Sequence, residues 1–203
     1  AAEYHNPETI GGMSLGEKLM ASVFQSVTTR TAGFYTVSQG ALHGESKLFC
    51  SILMFIGGSP GGTAGGVKTT TIAMLFLACL TFVRGGNDTE CMGRRISVAN
   101  FRTGFCVVMV AFTVFITGTI AILVIEPDSI PMVNVLYETA SAVGTVGLTA
   151  DLTPHLSWAS QVVLMIMMYI GRLGPLSLVL TFAGKTHPRD KIRRLPKEQI
   201  MVG

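Results

Sequence analysis

Ten consecutive residues without a large side chain, 57–66, lie between two apolar runs, 48–56 and 72–83. Glycines at this density add little to a packed core, because each loses much backbone entropy on folding and offers no side chain to bury. Unwound backbone of this kind is tolerated inside a membrane where it lines a cavity. Residues 57–66, called the glycine loop below, therefore predict a membrane crossing that is interrupted by an intramembrane loop.

The composition favours a membrane protein over a soluble domain. Hydrophobic residues make up 49% of the chain and charged residues only 13%, whereas soluble domains carry about 25% charged residues. Residues 104–125 contain no formal charge, and about 20 apolar residues suffice to cross the hydrocarbon. Residues 161–182 are nearly as apolar, interrupted by Arg172 and by a weak point at 171–175. These two segments predict spanning helices.

The basic residues orient these crossings. Ten of the 15 Lys and Arg residues lie in two segments, 84–102 and 185–197. Because Lys and Arg accumulate on the cytoplasmic side of the bilayer, both segments are predicted to lie inside a multi-pass protein of the cell membrane, and the connection 127–154 outside. The basic tail is expected to be solvated beside lipid headgroups rather than to bind nucleic acid.

Two segments repeat the same pattern: a short helix, 15–28 or 132–143, and then a Thr-x-Gly return at 31–33 or 145–147. Rows of backbone carbonyls in an extended return can replace the hydration shell of a cation. Glycine permits the unusual dihedrals that this requires, while the threonine hydroxyls either add oxygen ligands or brace the turn. The repeat predicts a cation filter formed by Thr29, Arg30, Thr31, Ala32, Gly33, Val143, Gly144, Thr145, Val146 and Gly147.

Three ordered motifs carry a resemblance: Thr-Thr-Arg-Thr-Ala-Gly-Phe at 28–34, the glycine loop with the following Val-Lys-Thr-Thr-Thr, and Ser-Ala-Val-Gly-Thr-Val-Gly-Leu at 141–148. Over essentially the whole chain they resemble the third and fourth pore units of the Trk/Ktr/HKT potassium transporters, and within that superfamily the bacterial Ktr membrane subunits. The resemblance implies an all-α membrane fold of potassium-channel-like helix, pore-loop, helix units. It also implies potassium as substrate, with sodium left open, and no organic cofactor.

The resemblance divides the chain into two pore units, and it leaves the first unit without its opening helix. The expected third unit is 1–97, with pore helix 15–28, filter 29–34, interrupted helix 43–83 and cytoplasmic loop 84–97. The expected fourth unit is 98–203, with helix 98–125, pore helix 132–143, filter 143–148, helix 155–183 and cytoplasmic tail 184–203.

The expected partners also follow from the resemblance. A ring of ligands around one ion needs four filter segments, and this sequence holds two. We therefore expect it to be about half of a pore-forming subunit whose N-terminal half supplies the other two. The resemblance further implies a homodimer of such subunits on a cytosolic, KtrA-like nucleotide-binding ring, which would bind the inner basic segments.

A gate is expected at the glycine loop, because the resemblance implies an intramembrane loop that closes the pore below the filter. Arg172 matches the family's pore-facing arginine. It also lies near mid-membrane, where a charge costs about 2.5 to 3.5 kcal/mol, and so should face a wet cavity or a partner. We expect it to act as an electrostatic barrier. The predicted gate comprises Arg172 with Gly57, Gly58, Ser59, Pro60, Gly61, Gly62, Thr63, Ala64, Gly65 and Gly66.

Two further charged positions flank these motifs. Arg30 would oppose a cation if its side chain entered the filter, so we expect it to point away from the pore and to pair with an acid, for which Glu138 is one candidate. Lys68 follows the glycine loop, where it either faces the inner vestibule or anchors the loop. These are hypotheses about side-chain direction that the sequence alone leaves open.

Two other classes of function remain as alternatives. The glycine loop followed by Lys68 is similar to a nucleotide phosphate loop, but that motif requires glycine immediately before the lysine, and Val67 stands there. A structural membrane module without transport would need no pair of Thr-x-Gly returns. We therefore expect a potassium transporter subunit and no enzyme.

Overall fold

Helices form nearly all of the regular structure in the described part of the chain. A computed structural model describes residues 2–61, 64–86, 90–91, 94–127 and 129–174. The predicted all-α fold is confirmed there except for one two-residue antiparallel hairpin, which lies within the predicted cytoplasmic loop and pairs Glu90 with Arg95. In order, the elements are α1 (Leu15–Thr28), α2 (Gly44–Phe55), α3 (Thr69–Val83), β1 (Glu90–Cys91), β2 (Arg94–Arg95), α4 (Val98–Ile125), α5 (Met132–Gly144), a 3-10 turn (Thr153–His155) and α6 (Trp158–Leu173).

Serines begin three of the helices. The Ser14 N–H donates to the Glu17 carboxylate at 2.8 Å ahead of α1. Ser97 accepts from the Asn100 N–H at 3.3 Å ahead of α4, and Ser157 accepts from the Ser160 N–H at 3.4 Å ahead of α6. Because the first N–H groups of a helix have no intrahelical acceptor, such contacts fix where each helix starts.

The long helix α4 contains the clearest membrane-spanning segment. Ala99–Ile125 is the one helix in the described residues that is long and apolar enough to cross a bilayer, with a mean hydropathy of 2.6. Its threonines satisfy their hydroxyls internally: Thr113 donates to Met109 O and Thr117 to Thr113 O. Such bonds remove the cost of exposing a hydroxyl to hydrocarbon. The other predicted span, 161–182, continues past residue 174 and so lies partly outside the described residues, as does the tail 184–203.

Helix α5, the short helix of the second repeated segment, lies at the centre of the structure. It packs against α2, α4 and α6, and every residue from Tyr137 to Gly144 is buried. One apolar cluster joins α5 to α4 and α6 through Ile122, Val143 and Leu164. A second cluster joins it to α2 through Met54 and Tyr137. The turn that follows α5 is therefore held from several sides.

Candidate functional site

The turns that follow α1 and α5 share an unusual backbone. Thr31 and Gly33 have φ values of 73° and 76°, and Thr145 and Gly147 have values of 52° and 90°. The left-handed region costs an L-residue roughly 1 to 2 kcal/mol, so a threonine there must be held by its surroundings. The two segments thus share a conformational repeat, with the same residue types in the same order.

These two turns also touch each other. A Cβ added to Gly33 would lie 2.6 Å from the Val146 carbonyl oxygen, and one added to Gly147 would lie 3.8 Å from Gly33 Cα. The structure therefore brings together the glycines of the two Thr-x-Gly returns, both of which belong to the predicted filter. Thr29, by contrast, is fully buried and donates its hydroxyl to Ser26 O at 2.8 Å, so this hydroxyl braces the end of α1.

The glycine loop is closed at its neck. Ile56 and Val67 form a parallel bridge, Val67 N donates to Phe55 O at 3.3 Å, and Thr69 N donates to Gly58 O at 3.3 Å. The end of α2 and the start of α3 thus lie side by side. Two predicted gate residues, Gly62 and Thr63, fall outside the described residues.

Both ends of the glycine loop contact the two turns. Gly65 N donates to Thr145 Oγ1 at 3.1 Å, and a Cβ on Gly65 would lie 3.0 Å from Gly144 O. At the other end, Arg30 Nη1 donates to the carbonyls of Ile56 and Gly57. The predicted filter and the predicted gate therefore form one contiguous site in the fold.

The predicted pairing of Arg30 with Glu138 is wrong. Arg30 points away from the Thr-x-Gly turn, as expected, but its partners are backbone carbonyls at the end of α2, namely Leu53 O at 3.4 Å together with Ile56 O and Gly57 O. The last carbonyls of a helix have no intrahelical donor and carry the negative end of the helix dipole. A guanidinium satisfies them and so needs no carboxylate.

Glu138 instead fixes the chain that follows its own turn. Its carboxylate accepts from Thr149 Oγ1 at 2.6 Å, Ala150 N at 2.9 Å and Thr153 Oγ1 at 2.7 Å. Leu152 N adds a longer bond at 3.4 Å. Four donors around one buried side chain hold the return segment against α5, because charge-assisted bonds of this kind are stronger than neutral ones.

Gln25 makes the equivalent contact in the first segment. Its amide donates to Gln39 Oε1 at 2.6 Å, and Gln39 is nearly fully buried. Thr31 and Thr145 are 114 residues apart, and the same separation relates Gln39 to Thr153. The sequence alone does not single out these partners, although extending the alignment of the two Thr-x-Gly returns past their glycines would find them.

A third contact occurs in both segments, at the N-termini of α2 and α6. Glu3 accepts from His43 N at 2.7 Å, and Glu126 accepts from Ser157 N at 2.9 Å. His43 and Ser157, again 114 residues apart, are the N-caps of α2 and α6. A carboxylate at a helix N-terminus is stabilised by the free N–H groups and by the dipole. The sequence reasoning did not single out either pair.

Arg172 lies near the end of α6 and lines a cavity of about 570 Å³. The cavity wall also includes Glu138, Thr145 and Gly147. The helix comes very close to the second turn, because a Cβ on Gly171 would lie 2.2 Å from Val143 O. The structure thus places Arg172 beside predicted filter residues of the second segment. The predicted break at 171–175 reaches Pro175, which lies outside the described residues.

Lys68 anchors the glycine loop. It is the N-cap of α3, and its ammonium donates to Ala64 O within the loop. The sequence left open whether Lys68 faces the inner vestibule or anchors the loop, and this contact corresponds to an anchor. It also differs from a nucleotide phosphate loop, whose N–H groups and lysine both point at phosphates; here Gly65 N points at Thr145.

These observations describe an apolar helical protein in which two similar helix-and-turn segments meet against one glycine-rich loop. Residues 4–195 match the family described as TrkH, cation transport protein. The chain therefore belongs to the TrkH family of cation transport proteins, and the predicted superfamily is confirmed.

Curated relatives agree with this assignment. The chain is 37% identical over 201 residues to the Ktr system potassium uptake protein B of Bacillus subtilis, covering 99% of this chain and 44% of that protein. It is 32% identical to the protein of the same name from Vibrio alginolyticus, covering 99% and 43%. It is 33% identical to the potassium/sodium uptake protein NtpJ of Enterococcus hirae, covering 92% and 42%. The chain thus spans less than half the length of these relatives.

Proposed function

We propose that this chain forms part of a potassium uptake pathway, in which the carbonyls of 29–33 and 143–147 bind the ion and the glycine loop gates it. The observation that carries the proposal is the shared backbone of the two turns: Thr31, Gly33, Thr145 and Gly147 are all at positive φ, and a Cβ built on either glycine would lie 3.8 Å from the Cα of the other. Carbonyl rows on such turns can substitute for water around a cation. We propose potassium as the substrate because the names of two relatives specify potassium uptake.

The remaining parts of the pathway follow from the same reading. The C-terminal ends of α1 and α5 point at the turns, and their negative dipole ends favour a cation over an anion. Arg172, in the cavity beside Thr145 and Gly147, would repel cations until the gate moves. We propose further that the rest of the same subunit completes the ring of filters, and that the subunits pair as a homodimer on a cytosolic nucleotide-binding, KtrA-like ring. The name of one relative includes sodium, so sodium coupling belongs among the quantities to measure.

The test is potassium flux through the intact transporter in proteoliposomes. Gly33→Ala places a Cβ 2.6 Å from Val146 O on a backbone at φ 76°, so we expect potassium uptake to fall by more than about tenfold, since a strain of 1 to 2 kcal/mol is joined by a steric clash.

Gly12→Ala is the matched control, because a Cβ at Gly12 meets nothing within 4 Å. Its flux should equal that of the wild type. Full potassium flux in a well-folded Gly33→Ala protein would count against the filter, and wild-type protein without cation flux would count against transport.

A further inference from the structure

The glycine loop is held at both ends by side chains that belong to the two predicted filter turns. Arg30, between Thr29 and Thr31, donates to the carbonyls of Ile56 and Gly57 where the loop begins. Thr145 accepts from Gly65 N where the loop ends. Neither side chain is needed to form its own turn, because neither contact lies within that turn.

We propose that Arg30 and Thr145 form a two-point clamp that keeps the glycine loop closed against the filter turns. This inference rests on the proposed function, and it assigns both side chains to positioning the gate rather than to coordinating the ion. In this proposal the backbone carbonyls, and not these two side chains, serve the filter. To move away from the turns, the loop must break the Arg30 contacts with Ile56 O, just before the loop, and with Gly57 O at 3.5 Å. It must also break the hydrogen bond at Gly65.

Each contact has the strength that a clamp requires. A hydrogen bond to a charged donor contributes more than a neutral one, and leaving a buried carbonyl without a donor costs more still. The Arg30 contact also caps α2, so its loss frees the end of that helix together with the loop. The Thr145 hydroxyl extends from a turn that directly follows the buried end of α5, so its backbone has little freedom to move. A rigid turn therefore supports a loop whose glycines would otherwise sample many conformations.

The experiment measures loop exposure directly in the intact transporter. A cysteine replaces Val67, which is fully buried where the glycine loop returns to α3, in a background without other reactive cysteines, and its reaction rate with a small water-soluble thiol reagent is recorded. Arg30→Gln and Thr145→Val each remove one clamp contact with little change in volume. We expect each to raise the labelling rate by about tenfold, as the loss of one such bond predicts.

Conservative variants separate a clamp from general damage. Thr145→Ser keeps the hydroxyl and should restore the wild-type labelling rate, and Arg30→Lys keeps the charge without the planar fork and should give an intermediate rate. Glu8→Gln removes a charge from an exposed side chain that belongs to none of the predicted sites, and its rate should be that of the wild type.

The outcomes distinguish the clamp from the proposed function. Labelling within twofold of the wild type in either Arg30→Gln or Thr145→Val, in protein that remains monodisperse, overturns the clamp. If Thr145→Val and Thr145→Ser both label at the wild-type rate, the threonine serves its turn alone, and the clamp is again overturned. Loop labelling needs no transport, so faster labelling in a protein without potassium flux supports the clamp while it counts against the uptake function.

Discussion

The two turn segments, 29–33 and 143–147, share a backbone but differ in how they contact the end of α2. In the first segment Arg30 extends a side chain to the carbonyls of Leu53, Ile56 and Gly57. Counting back one residue from the aligned threonines, Gly144 occupies the equivalent position in the second segment. There the backbone itself approaches, and a Cβ would lie 2.6 Å from Met54 O.

This difference shows how two turns with the same backbone can both contact a single loop. Two equivalent turns would offer two equivalent surfaces, but only one α2 end and one glycine loop lie between them. The first turn reaches that end by a long side chain, whereas the second packs directly on it through Gly144. Two turns with the same backbone can therefore contact one α2 end if a single aligned position differs between them. That position is a cation, Arg30, in the first turn and a glycine, Gly144, in the second.

The largest expected effect concerns the packed side of this comparison. Gly144→Ala would set a Cβ against Met54 O, a backbone atom that cannot move without shifting α2. We expect the free energy of unfolding to fall by about 3 kcal/mol, at the upper end for overpacked sites. The measurement is denaturant or thermal unfolding of the purified transporter in detergent.

Gly16→Ala is the control for this variant. It lies in the first turn of α1, and a Cβ there meets nothing within 4 Å. Since alanine is a better helix former than glycine, its stability should be unchanged or raised by up to about 1 kcal/mol. Equal stability of Gly144→Ala and Gly16→Ala would show that the second turn does not depend on close backbone contact.

Local features of the sequence were enough to predict the short helices and the two glycine turns. The short helices 15–28 and 132–143 follow from the repeated pattern of helix and return, and the Thr-x-Gly motifs mark the turns in which positive φ occurs. The partner of Arg30 could not be predicted in this way, because it lies 26 residues along the chain and depends on how α2 packs. Charge alone favours an acid as the partner of a cation, whereas the carbonyls at a helix end become candidate partners only when the position of that end is known.

The second expected effect concerns the braces behind the turns. Glu138→Gln replaces one acceptor oxygen with a donor that must face a hydroxyl or an N–H, because four donors surround the carboxylate. We expect a loss of about 2 kcal/mol in unfolding free energy, as found for hydrogen bonds to charged groups. Gln25→Leu breaks the equivalent neutral contact with Gln39 and should cost about 1 kcal/mol.

Thr153→Val provides the matched comparison for Glu138, since it removes one of the four donors and keeps the side-chain shape. Its cost should be near that of Gln25→Leu. If Glu138→Gln proves no more costly than Gln25→Leu, the charged brace offers no advantage over the neutral one, and the two segments are energetically as similar as their backbones.

The smallest effects concern Glu3 and Glu126, whose carboxylates lie at the N-termini of α2 and α6. Hydrogen bonds from the hydroxyls of Ser160 and Ser157 and from Ser157 N lower the pKa of Glu126. Burial alone would raise the pKa of Glu3, but bonds from Ser46, Asn6, His43 and Thr9 together lower it. A carboxylate whose folded pKa is lowered stabilises the fold above its unfolded pKa of about 4.3, and that contribution is lost as the pH falls through the folded pKa.

Glu3 makes more contacts than Glu126, so the two ends should differ in size and agree in sign. At pH 7 we expect Glu3→Gln to cost about 1 kcal/mol and Glu126→Gln about 0.5 kcal/mol, as for helix N-caps and exposed charges. Both differences from the wild type should shrink as the pH falls below the unfolded pKa of about 4.3 and through the lower folded pKa, because the stabilisation by the ionised carboxylates is lost over that range. Unfolding measured at pH 7 and at pH 3 tests this directly. A cost that stays constant with pH would assign these glutamates to shape alone, and an equal cost at the two ends would mean that the outer contacts are as closely repeated as the Thr-x-Gly turns.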